Sequence, residues 1–334
     1  MKNMVKYKFW EGCILLIKLP KIIAVFILIC TILTLASCTQ TEESHKKEDV
    51  ESIVTSFEHP QSKQKYKIIN AFKLYDNYQD KVESNQNQSK REIYQDEVIE
   101  PIYSDCFDKG EYLHMAHYAL NVAPDQLTEN QLLSEKIDRE ETEKLIKEAL
   151  FKSSDLIPSE KETTVCVFPA TNVNAYMVTV GAGKITVLYN KDYTEEDIRI
   201  GISHEYHHSI WAEKYVKKDM KFTILDNLVF EGKAVMFSKL VYPEYPNNYD
   251  TLMYSEYNRE NWSKVVGDLN SINLERSQEI NFGGDDLPYS YGYSEGYKMV
   301  KSYLKLHPNV TPEEWTALNA NEIFEKGNYI EHYQ

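Results

Sequence analysis

His204, Glu205 and His208 stand in the pattern His-Glu-x-x-His. On a helix, residues four apart lie one above the other on one face. Two imidazoles spaced this way can share one divalent ion, and the carboxylate beside the first can reach a water held there. That is the equipment of a zinc hydrolase. His207 is turned from His208 by one residue step, about 100°, and is not predicted to be a ligand.

Zinc needs a third protein ligand. A third histidine in the spacing HExxHxxGxxH is excluded, because Trp211 stands at the glycine position and Lys214 at the histidine position. The other solution is a carboxylate on a following helix. Phe230-Glu231-Gly232-Lys233-Ala234 supplies Glu231 after room for a turn and a return helix, and Asp226 is its nearest rival. His114 and His117 form a second HxxH, but no third partner is near them in sequence, and they read as ordinary helix residues. Gly283-Gly284-Asp285-Asp286 lacks the alternating acids of a calcium loop and reads as a turn.

These residues need a scaffold. Thr194-Glu195-Glu196-Asp197 is a helix start with acids in its first turn, and the helix it opens carries His204 and His208. Three strand candidates precede it: Thr164–Phe168, Ala175–Val180 and Lys184–Tyr189, the last two around Gly181-Ala182-Gly183. A second helix is predicted from Ile224 to Leu240 and another from Ser294 to Leu304. Thr311-Pro312-Glu313-Glu314 has the N-cap, proline and capping acid of one more. Upstream, Ile68, Ile69, Phe72 and Leu74 recur at near-helical spacing, as do Leu132, Leu133, Ile137, Leu145, Ile146 and Leu150. The expected fold class is α+β, mainly helical, with a small sheet beside the HExxH helix. The expected divisions are a leader over 1–37, a tether over 38–50, a helical region over 51–158 and the metal-binding domain over 159–334.

The leader has five lysines and then an apolar run from Ile22 to Leu35, interrupted by Cys30 and two threonines. Leu35-Ala36-Ser37-Cys38 follows and resembles a bacterial lipoprotein signal. Cleavage before Cys38 and lipidation of its thiol would anchor the chain to a membrane, facing the extracytoplasmic side. The run is short for a spanning helix, which takes ~20 apolar residues. The chain carries a formal charge of −15, and loss of the lysine-rich leader makes the remainder more acidic still. That excludes nucleic acid as a partner and weighs against docking on anionic headgroups. Cys106 and Cys166 remain beyond the lipobox and are free either to pair or to stay apart.

HExxH followed by a Glu-Gly-x-Ala helix resembles the gluzincin zinc peptidases, the thermolysin and zinc-aminopeptidase lineage. His204-Glu205-Tyr206-His207-His208 is in particular similar to an uncharacterised bacterial family of predicted Zn-dependent proteases, from about Thr164 onward. The resemblance implies a zincin-like fold, His204, His208 and Glu231 as zinc ligands, and Glu205 as general base. Zinc aminopeptidases set an oxyanion-stabilising tyrosine in a Tyr-x-x-Gly context before a helix. Tyr293-Ser294-Glu295-Gly296 resembles it and selects Tyr293 over Tyr289, Tyr291 and Tyr297. Two departures stand out. Val235 occupies the position where thermolysin-like enzymes orient the first histidine with an aspartate, so another group is expected to fix the tautomer of His204. No Gly-x-Met-Glu-Asn strand is present to hold a free amino terminus, which favours an endopeptidase.

The expected function is hydrolysis of peptide bonds in peptide or protein substrates by a lipid-anchored zinc peptidase. The Lys184–Tyr189 strand is expected to pair with an extended substrate. The alternative is a surface lipoprotein that binds a peptide or protein partner around a structural or vestigial zinc site. Cys38→Ala should accumulate an uncleaved precursor that takes up no radiolabelled lipid, whereas persistent labelling would refute the lipoprotein reading.

Overall fold

The computed structural model describes residues 53–85, 87–170, 176–245, 256–284 and 286–334. The leader, Cys38 and the tether lie outside the described residues, as does Asp285. Five strands form one mixed sheet in the order β1-β2-β3-β5-β4: β1 Val54–Glu58, β2 Lys65–Asn70, β3 Thr163–Pro169, β4 Met177–Gly181 and β5 Lys184–Tyr189. The outer pairs are antiparallel, and β3 runs parallel to both β2 and β5. Every residue of β3 is buried, as expected for a central strand covered on both faces.

Alternation along β3 assigns its residues to two cores. Val165 and Val167 join Ile185 and Val187 against Leu145, Ile146 and Leu150 of helix Arg139–Leu156 and against Ile198, Ile202 and Tyr206. Cys166 and Phe168 face the other way, with Leu74, Tyr78, Tyr94 and Phe107. Cys106 and Cys166 form a disulfide on that second face.

The expected helical region is thus only partly helical. Val54–Glu58 and Lys65–Asn70 are strands, and β2 pairs with β3 from Tyr66↔Thr163 to Asn70↔Val167, so the sheet crosses the expected division at residue 158. Ile68 and Ile69 misled because both are buried, one towards each face of the sheet. Two adjacent apolar residues fit a buried strand and a helix equally well. Phe72 and Leu74 do lie on a helix, α1 Phe72–Ser84.

Lys184–Tyr189 lies between β3 and β4, so both its edges are already paired and it cannot receive a substrate strand. The outer strand on that side is β4, joined to β5 by a turn in which Gly183 takes a positive φ of 72°. A segment over residues 110–116 lies along it. Tyr112 N donates to Val180 O over 2.8 Å, Ala182 N to a carboxylate oxygen of Glu111, and the Tyr176 hydroxyl to Met115 O.

Four longer helices follow α1: α2 Arg139–Leu156, α3 Glu195–Tyr215, α4 Ile224–Val241, and, after a region with shorter helices at Arg259–Ser263 and Leu274–Phe282, α5 Tyr291–Leu306. Thr194 and Thr223 close capping boxes with Asp197 and Asp226 at the starts of α3 and α4. Helix α4 is apolar nearly all round, which fits a helix buried among neighbours. It crosses α5 at Gly232 and Gly296. A Cβ on Gly232 would strike the Gly296 carbonyl and the Tyr297 nitrogen, and one on Gly296 would strike Leu228 O. Backbone meets backbone here, and only glycine permits it. Gly232→Ala should therefore cost about 3 kcal/mol of stability by overpacking; denaturant unfolding of wild-type strength in that variant would contradict the crossing.

Candidate metal centre

Helix α3 presents different faces to different neighbours. Gly201, Glu205 and Ser209, spaced by four, face the outer strand. A Cβ at Gly201 would press on the Met177 sulfur. The Thr179 hydroxyl is 2.7 Å from Glu205 O and 2.9 Å from Glu205 Oε2. Gly183 N donates to Ser209 Oγ over 2.7 Å. Thr179 thus fixes the Glu205 carboxylate, a role that no feature of the strand sequence announces.

His204 and His208 turn instead toward α4. Their Nε2 atoms lie 3.0 Å apart, and each is 3.2 Å from Glu231 Oε2. The two residues are 6% and 4% exposed. Among the described residues this is the group of three or more His, Cys, Asp or Glu side chains able to hold a metal. Asp226 is not in it: its Oδ2 closes the capping box, accepting from Thr223 N and Thr223 Oγ1. His114 and His117 do not join a cluster either; both are exposed.

The donor set fits zinc. Two neutral imidazoles and one carboxylate are a catalytic zinc set, and ligands 2.0–2.1 Å from a tetrahedral ion stand roughly 3.3 Å apart. The observed edges of 3.0 to 3.2 Å are within a few tenths of that. Electrostatics agree. Burial alone would lift the Glu231 carboxyl, but the two imidazoles hold it down at about 2. Burial alone would make His204 less basic, yet the Glu231 hydrogen bond and the charges of Glu205 and Glu231 raise it above its usual value. A carboxylate that makes a buried imidazole more basic will also draw a cation.

Aromatic rings set the planes of the imidazoles. Phe230 stacks on His208 at 4.0 Å and 18°, and Trp211 backs Phe230 edge-on at 5.2 Å. Tyr293 lies 6.2 Å from His204 and 6.0 Å from Phe282. Among the four clustered tyrosines, Tyr289 is 65% exposed, Tyr291 is buried, and Tyr297 lies against Lys239 and Lys301. The expected tautomer-fixing group is not found: Nδ1 of His204 and of His208 is buried without a hydrogen-bond partner among the described residues. Val235 is itself fully buried. Packing does the orienting that an acceptor does elsewhere.

His207 is buried and points away from the centre. Its Nε2 is 3.1 Å from Thr316 Oγ1, and its ring stacks on Trp315. Burial, with the charges of His208 and Lys233, pushes its basicity well below the usual range. Lys233 reaches the same turn, donating to Thr316 O and Leu318 O. Two of the motif's neighbours therefore hold the C-terminal helices against the back of α3 and α4.

A family model described as predicted Zn-dependent protease (DUF2268) matches residues 142–325, more than half of the chain. The chain belongs to this family. No curated protein and no solved structure matches it. The DUF2268 match spans both histidines, Glu205, Glu231 and Tyr293, and with the converging donors it makes Zn²⁺ the cofactor. Protons compete with zinc for the imidazoles, and the raised His204 makes that competition begin above about pH 6.5. Apparent zinc affinity should fall as pH drops through that range, by about tenfold per unit for each proton displaced. Competition with a chromophoric chelator measures it, and an affinity flat between pH 7 and 5 would exclude the imidazoles as ligands.

Proposed function

We propose that this member of the DUF2268 family is a gluzincin-type zinc peptidase, lipid-anchored and facing the extracytoplasmic side of a membrane. The observation that carries the enzymatic reading is the meeting of His204, His208 and Glu231 beside a Glu205 that Thr179 holds in place. A structural site has no use for a fixed carboxylate next to its ligands; a hydrolytic one requires it.

In this reading His204 Nε2, His208 Nε2 and Glu231 hold the ion. When bound, zinc supplies a Lewis acid that polarises the scissile carbonyl and lowers the pKa of a water toward ~7. Glu205 Oε2 accepts the proton of the attacking water and later delivers it to the leaving nitrogen. Thr179 keeps that oxygen in place by its hydrogen bond. Tyr293, at the start of α5 and beside His204, donates its phenolic hydrogen to the oxyanion. The glycine crossing sets the height of Tyr293 over the ligand pair. The apolar run and lipobox support the anchor, and the Cys106–Cys166 disulfide suits an oxidising compartment.

The test is to incubate the chain from Cys38 onward with a diverse peptide library, with and without a chelator. Chelator-sensitive cleavage is expected. Glu205→Gln should lose about 10³-fold in rate, the scale of general acid–base catalysis, while retaining zinc. Undiminished cleavage by that variant would remove Glu205 from the mechanism.

A further inference from the structure

Tyr112 lies before residue 142, outside the family match, yet it belongs to the neighbourhood of the metal centre. Its backbone nitrogen is docked on Val180 O of the outer strand. Its ring meets Phe230 edge-on at 6.2 Å, and Phe230 is both the residue before Glu231 and the ring stacked on His208. The Tyr112 hydroxyl is shut off from solvent and has no hydrogen-bond partner among the described residues. A buried hydroxyl left unpaired is a cost to the fold and calls for an explanation.

Glu231 needs what Tyr112 offers. Both imidazoles meet the same carboxylate oxygen, Oε2, and carboxylates that bind metals are in turn hydrogen-bonded by neighbouring groups. We propose that Tyr112 is a positioning residue for the metal centre, donating its phenolic hydrogen to the second carboxylate oxygen of Glu231 when a metal holds the first. A tyrosine phenol keeps its hydrogen through the neutral range, so the group is available as a donor. The segment over 110–116 therefore completes from outside a centre whose ligands all lie within the family core. Three bonds to the outer strand and the residues flanking it, at Tyr112, Glu111 and Met115, hold it there.

The inference rests on the reading of His204, His208 and Glu231 as ligands, and its test does not require catalysis. Zinc affinity of the chain from Cys38 onward is measured by chelator competition for wild type, Tyr112→Phe and Tyr242→Phe. Tyr242 is the control, since its hydroxyl is also buried without a partner but sits at the far end of α4. Tyr112→Phe should weaken zinc about tenfold or more, the usual effect of removing such a support, and Tyr242→Phe should leave it unchanged. The visible spectrum of the cobalt-substituted protein should shift in the first variant only. The Tm of metal-free Tyr112→Phe should equal or exceed that of wild type, because no bond is lost without the metal. Unchanged zinc affinity in Tyr112→Phe would overturn the role of Tyr112 alone. A lowered metal-free Tm would overturn it too, by showing that the hydroxyl serves the fold. A wild type that binds no zinc would overturn the metal centre and this role together.

Discussion

Two glycines set the geometry on which everything at the centre depends. Gly232 and Gly296 let α4 and α5 touch backbone to backbone. Glu231 precedes one of these glycines, and Tyr293 lies one helical turn before the other. The close approach therefore brings the carboxylate and the phenol to the same place, against the two histidines of α3. Any side chain at the crossing would spread the helices and shift Glu231 from the two imidazoles it meets at 3.2 Å. The Glu-Gly and Tyr-x-x-Gly patterns, far apart in sequence, are two halves of one contact.

Around that contact the division of labour is unusual. Polar support goes to Glu205: the one hydroxyl hydrogen of Thr179 is shared between its backbone oxygen and its carboxylate. The histidines receive shape instead, from Phe230 on one side and Tyr293 on the other. A stack at 4.0 Å restricts the tilt of a ring as an acceptor would, but it does not choose which nitrogen carries the proton. Metal binding itself makes that choice, because an imidazole nitrogen that ligates carries no proton.

The sequence was most legible where chemistry and local structure coincide. His204 and His208 share a face because they are four apart, and their helix starts where Thr194 caps it. Glu231 was legible from its place on the return helix, and Asp226 dropped out because capping a helix and binding a metal use the same oxygens. Tyr293 could be picked from its neighbours only by the glycine that follows. Thr179, Phe230 and Tyr112 left no trace, since a threonine in a strand and an aromatic beside a ligand are ordinary packing until the third dimension is known. The strands at Val54–Glu58 and Lys65–Asn70 were hidden for a different reason. Their identity depends on β3, nearly a hundred residues on, and no local period encodes a distant partner.

That long-range pairing bears on how the polypeptide can be divided. The stretch that carries the family resemblance begins at residue 142 and contains β3 but neither β1 nor β2. Severed there, β3 would lose its neighbour over five consecutive residue pairs while keeping its run of apolar side chains. A long, flat, hydrophobic strand with a bare row of amides is a template for adding further strands from other molecules. The two N-terminal strands thus cover an edge of β3 that the family-matched stretch alone would leave open. The unit that keeps its sheet covered is longer than the stretch the family model matches.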